Sequence, residues 1–302
     1  MSTFMFLMFG EFVLRKYGFC HAPLYFASDE FEYMQKADQK GNRFGCKYYN
    51  NHYCQRSNEV DSTKKHILGL GDSVIHGGAA CDQDSIATSL FTNETGIQML
   101  NISAGSWGPD NCAAYLRHYG TFDSKAIFLV VSSHDAHDNM EFQPTVDVHL
   151  SFPSKQFRLA WAELTERYIW PKMKHIFKVT NHHNLDPDQK VLSESGINID
   201  KKGKVFNTGF NDLKLISDSL NIPFTIYLHA DIKECENNEY NEQGLEIIQW
   251  CTDNNVKLIK DLDEGVSIKD YRDGIHLNVS GQRRLANVMK REYQWLTTNL
   301  HN

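Results

Sequence analysis

The stretch AIFLVVSS, residues 126–133, constrains the fold more than any other part of the chain. It is apolar without alternation, and a strand of that composition is buried on both faces. Strands covered on both sides belong to parallel sheets, whose crossovers need helices. The surrounding pattern supplies the remainder of such a sheet. KHILGLGD (65–72) reads as a first strand and IQMLNIS (97–103) as a second. AIFLVVSS is the third, IPFTIYLHA (222–230) the fourth and VKLIKD (256–261) a short fifth. Helical periodicity fills the intervals at 85–96, 109–120, 156–178, 208–220, 242–255 and 279–296. This predicts a three-layer α/β domain over residues 65–302, with a doubly wound, flavodoxin-like parallel sheet of five strands.

Residues 1–64 lack that rhythm. Aromatics are mixed with Asn, Lys and Gly in NRFGCKYYNNHYCQRSNEVDSTKK, and the segment reads as irregular chain wrapping the domain. Its start, MSTFMFLMFGEFVLRKYGF, holds an apolar run from Phe4 to Phe9, far short of the roughly 20 residues that span a bilayer. A basic leader and a small-residue cleavage site are also missing. The run predicts a helix packing an apolar face onto the domain or a partner, with residues 1–14 the one place for weak membrane association. The compartment stays open between cytoplasmic and membrane-associated or periplasmic.

Composition narrows the function classes. With 31 basic and 38 acidic residues the formal charge is −7, and no cluster of Lys and Arg stands out. That argues against nucleic acid as a partner. The seven cysteines (Cys20, Cys46, Cys54, Cys81, Cys112, Cys235 and Cys251) form no CxxC pair, so they read as mostly buried thiols. A Cys46–Cys54 bridge is left open. Gly69 and Gly71 do not start a dinucleotide loop, because Val74 stands where its third glycine belongs.

The chemistry concentrates at strand ends, where open α/β sheets bind their ligands. HILGLGDSVIHGG (66–78) holds Ser73 just past the first strand. A serine hydroxyl becomes a useful nucleophile when a base takes its proton and a carboxylate orients that base. KDYRDGIHLNVSGQ (269–282) offers Asp273 and His276 three apart, in the loop after the last strand. NISAGSWGPDN (101–111) offers backbone N–H groups at Gly105 and Ser106 for an oxyanion, with that of Ser73 itself as another. SSHDAHDN (132–139) offers a third donor. His134, Asp135, His137 and Asp138 also raise a metal reading, but no HExxH-like spacing supports it. They read instead as a strand end turning into a loop, and no metal or cofactor is expected. His182 and His183 read as solvated loop residues.

GDS at 71–73, the turn with Asn101 and Gly105, the polar segment after strand three and DGIH at 273–276 follow one another in order. Together they resemble the SGNH hydrolase superfamily of GDSL esterases and lipases, and its bacterial branch linked to polysaccharide modification. The resemblance covers about residues 65–298. It implies Ser73 as nucleophile, His276 as general base and Asp273 as its orienting carboxylate. The oxyanion donors it implies are Ser73 and Gly105, with Ser106 equally placed. The family has Gly-x-Asn-Asp in its third block, where this chain has Ser132-Ser133-His134-Asp135, so His134 would replace the amide donor. The implied activity is hydrolysis of a short-chain, O-acetyl-type ester on a carbohydrate. An O-acyltransferase with the same triad and a non-catalytic glycan-binding or assembly protein are the alternatives.

Overall fold

A computed structural model describes residues 3–173 and 203–299. His182, His183 and the polar stretch around them lie outside the described residues. The described residues from 66 onward build the predicted sheet. Its strands are β5 (His66–Gly71), β6 (Gln98–Ser103), β7 (Ile127–Ser132), β8 (Phe224–His229) and β9 (Lys257–Lys260), taking β1–β4 for the segment before them. All five run parallel in the order β6-β5-β7-β8-β9, the 2-1-3-4-5 order of a flavodoxin-like sheet. Every residue of β5, β6, β7 and β8 is buried. The continuous apolar runs explain this, because helices cover both faces.

On one face, Leu68, Leu70, Leu129, Val131, Ile226 and Leu228 meet Cys112, Phe210 and Ile247 of three helices. On the other, Ile67, Phe128, Val130 and Tyr227 meet Phe91, Leu285 and Met289. Register aligns the carboxyl ends, so that Gly71 pairs with Ser103 and Val130, and Ser132 with His229.

The segment before the sheet is more ordered than its pattern suggests. A helix, α1 (Thr3–Lys16), precedes two antiparallel hairpins, β1 (Tyr25–Ser28) with β2 (Glu32–Gln35) and β3 (Gln39–Arg43) with β4 (Cys46–Asn50). The second hairpin turns at Phe44 and Gly45, both at positive φ. A phenylalanine in that conformation is rare, and the usual Asn-Gly signal is absent. The hairpins therefore left little trace in the sequence. Phe31, Tyr33 and Met34 join the core on one face of the sheet.

Two further expectations are met only in part. None of α1 is buried, and Phe4 to Phe9 lie exposed. Within that run Phe6 meets the Trp161 ring and the Leu7 carbonyl accepts from Trp161 Nε1, and further along Leu14 packs against the small cluster of Phe19, Cys20 and Ala160. Glu11 accepts hydrogen bonds from the backbone of Ala160 and Trp161, and Gly10 lies against the Trp161 ring. That carboxylate caps the next helical stretch, which starts at Ala160 and not at 156, because Leu159 is extended. All seven cysteines are free thiols, Cys46 and Cys54 included. Among the described residues no helix is long and apolar enough to cross a membrane.

Candidate active site

Strand β5 ends where a side chain cannot fit. Gly71 has φ +149, and a Cβ there would lie 2.4 Å from the Val130 carbonyl oxygen. The chain then turns out of the sheet at Asp72, whose Oδ1 accepts from the Val74 N–H at 2.8 Å. Ser73 thus opens a single helical turn, α2 (Ser73–His76), closed by Gly77 in the left-handed region.

Several buried groups hold that turn. Gln282 donates to the Val74 carbonyl and Asn101 to that of Ile75. Arg56, 2% exposed, donates to the carbonyls of His76, Gly78 and Cys81. With Nε donating to Gln83 Oε1 as well, the buried guanidinium makes four hydrogen bonds without a carboxylate. Nearby His76 is buried, and burial with the charge of Arg56 pushes its imidazole well below the usual range.

The loop from Tyr271 to Leu277 carries the other pair to the same place. His276 Nε2 stands 3.0 Å from Ser73 Oγ, and its Nδ1 stands 2.8 Å from Asp273 Oδ1. Asp273 Oδ1 also accepts the backbone N–H groups of Ile275 and His276. Partial burial opposes ionisation of Asp273, but these bonds outweigh it and hold the carboxyl well below its usual range. A carboxylate facing Nδ1 fixes the proton there, and Nε2 is left to accept from the serine hydroxyl.

A second histidine pins this loop from beneath. His229 ends β8, fully buried, with Nδ1 at 2.7 Å from Asp261 Oδ2 and Nε2 at 2.7 Å from the Ile275 carbonyl. Both partners offer oxygen acceptors, an arrangement that suits a ring protonated on both nitrogens. Burial opposes that charge, but Asp261 raises the ring's pKa above its ordinary value. Tyr271 Oη donates to the Ala230 carbonyl, and Ile232 N–H donates to that of Gly274. Sequence reasoning missed His229, Asp261 and Arg56. The available signal was polar residues closing apolar strands, in YLHA and LIKD.

Besides Ser73, the oxyanion candidates follow the two strands that flank β5. After β6 the chain turns through Gly105 and Ser106, the latter at φ +58. The carbonyls of both face Tyr33 Oη. A trans peptide sets its N–H opposite its carbonyl, so the Ser106 N–H points away from Tyr33.

After β7, His134 stands in a 3₁₀ turn (Ser133–Ala136), its side chain 46% exposed. Its Nε2 lies 3.9 Å from Asp72 Oδ2 and 3.8 Å from Asp135 Oδ1. Burial raises the Asp135 carboxyl well above its usual range, and neighbouring Asp72 adds to this. For His134 desolvation acts downward, and the adjacent carboxylates carry its value upward. His137 has left the cluster, bonded to Glu246 and Gln243.

A doubly wound sheet with a serine past its first strand and an Asp–His loop before its last helix decides the architecture. The fold is a doubly wound, flavodoxin-like α/β sheet. No family model matches the sequence, and no curated protein matches it. Among solved structures, the chain is similar to a psychrotrophic esterase from Pseudoalteromonas inhibited by monoethylphosphonate. The two share 16% identity and a TM-score of 0.42, over 79% of this chain and 100% of that one. A GDSL-like lipase from Bacteroides thetaiotaomicron gives 9% identity and a TM-score of 0.41, over 78% and 90%. A member of the lipolytic G-D-S-L family from Veillonella parvula gives 13% and 0.39, over 74% and 94%.

Proposed function

We propose that this SGNH-type chain is a serine esterase that cleaves a short acyl ester, of O-acetyl type, from a carbohydrate. The observation that carries the reading is the continuous relay from Asp273 through His276 to Ser73 Oγ, with both contacts at hydrogen-bond length. Ser73 attacks the acyl carbon as His276 Nε2 takes its proton. The resulting imidazolium is held by Asp273 and returns the proton to the leaving sugar oxygen. Water then repeats the sequence on the acyl-enzyme. The N–H groups of Ser73 and of Gly105 or Ser106 stabilise the oxyanion, and His134 takes the position of the family's amide donor. Carbohydrate and acetyl specificity rest on the resemblance to the polysaccharide-modifying branch. The exposed run Phe4–Phe9 is the surface for weak membrane association.

Hydrolysis of p-nitrophenyl acetate and labelling by a fluorophosphonate test the reading together. Wild type should label and turn over. Ser73→Ala should lose the label and about four or more orders of magnitude in kcat. Equal labelling of both proteins would overturn it.

A further inference from the structure

Three histidine–aspartate contacts lie along the carboxyl edge of the sheet. Two close to hydrogen-bond length, 2.8 Å for His276–Asp273 and 2.7 Å for His229–Asp261. The third stays open. His134 Nε2 is 3.9 Å from Asp72 Oδ2 and 3.8 Å from Asp135 Oδ1, beyond hydrogen-bond reach of either. Both carboxylates are buried, at 3% and 1% side-chain exposure, and Asp135 Oδ1 has no hydrogen-bond partner. A buried carboxylate oxygen left in that state is costly.

Separate anchors keep the gap open. Asp72 is fixed through Oδ1 to the Val74 N–H, and Asp135 through Oδ2 to the Ser132 N–H. The oxygens facing His134 are the two left over. All three ligand atoms lie within 4.8 Å of one another. With these separations, a point equidistant from the three lies no more than about 2.5 Å from each. That is within a few tenths of an ångström of the roughly 2.0–2.2 Å that Zn²⁺ makes to imidazole nitrogen and carboxylate oxygen.

We propose that Asp72, His134 and Asp135 bind one divalent transition-metal cation of the Zn²⁺ class per chain. One imidazole nitrogen with two carboxylate oxygens suits Zn²⁺ or Co²⁺ better than Mg²⁺ or Ca²⁺, which take all-oxygen shells. Three protein ligands leave a coordination position, and the exposed side of His134 opens it to solvent. The cation balances two buried carboxylates and gives Asp135 Oδ1 its missing partner. It also occupies His134 Nε2, so that nitrogen cannot donate to an acyl oxygen while the cation is bound. The sequence run His134-Asp135-Ala136-His137-Asp138 misdirects here, because the structure trades His137 and Asp138 for Asp72.

The test is binding, which does not depend on ester cleavage. The full chain, stripped with a chelator, is dialysed against Zn²⁺, and Co²⁺ absorption is recorded in parallel. One equivalent should bind, with a visible Co²⁺ band. Affinity should fall at least tenfold in His134→Ala and in Asp135→Asn, which keeps the bond to Ser132. Ser73→Ala and His137→Ala should bind as wild type does, so a failed esterase reading leaves this result intact. Substoichiometric binding at several hundred micromolar metal would overturn the proposal. So would equal affinity in correctly folded His134→Ala.

Discussion

His276 and His229 both face an aspartate through Nδ1 at nearly the same distance, yet they are built for different work. His229 is sealed, with its second nitrogen committed to the Ile275 carbonyl one residue before His276. His276 keeps its second nitrogen for Ser73. A histidine–carboxylate pair whose donors all end on fixed acceptors is a brace. The same pair with one nitrogen facing a hydroxyl has the geometry that the proposed relay needs. The brace also serves the relay, because it holds the backbone from which His276 projects. His134 belongs to neither class, since its contacts never close.

Removing the carboxylate of the relay should break the comparison most sharply. Asp273→Asn keeps the shape but can favour the wrong imidazole tautomer, and kcat for p-nitrophenyl acetate should fall about 10³- to 10⁴-fold, with a melting-temperature drop smaller than that of His229→Gln. A loss below about tenfold would remove Asp273 from the relay.

His229→Gln should show the opposite signature. An amide can still donate to the Ile275 carbonyl, but Asp261 loses its cation while keeping bonds from Ala230 and Tyr240. Breaking a buried pair costs about 3–5 kcal/mol, and those remaining donors favour the lower end. Thermal unfolding should therefore shift by several degrees or more, with kcat falling about tenfold because the loop is less firmly held. A large loss of kcat at unchanged stability would make His229 chemical instead of supporting.

The smallest effect separates the two pairs by pH. The folded pKa of His229 is raised, so its stabilisation is full below about pH 6.5 and is lost as pH rises through the folded value. The folded pKa of Asp273 is lowered, so its contribution is present above about pH 3.9 and is lost as pH falls through the folded value. The gap in melting temperature between wild type and His229→Gln should narrow toward alkaline pH. The gap for Asp273→Asn should narrow only in acid. Parallel curves for both variants would count against the distinction.

These contrasts also show what the sequence could reveal. Continuous apolar runs mark buried parallel strands, so β5 to β8 were legible one by one. Ser73, Asp273 and His276 stand out in the sequence as an ordered set, and the structure brings the three side chains together. His229 and Asp261 were not, because their meeting depends on β8 lying beside β9 in the sheet. Asp72 meets His134 only because β5 lies beside β7, although the two residues are far apart in sequence. Periodicity describes one element at a time, and these sites are made between elements. The hairpin at Phe44 and Gly45 escaped for a local reason, since its turn lacks the residues such turns favour.

Arg56 gives the early segment a standing that a domain map would deny it. A chain cut at residue 65 would retain every strand of the sheet. It would lose the guanidinium that binds the carbonyls of His76, Gly78 and Cys81 beside the serine. The lead-in and the turn at Ser73 are therefore held as one piece, and the serine's footing depends on a residue that lies outside the sheet.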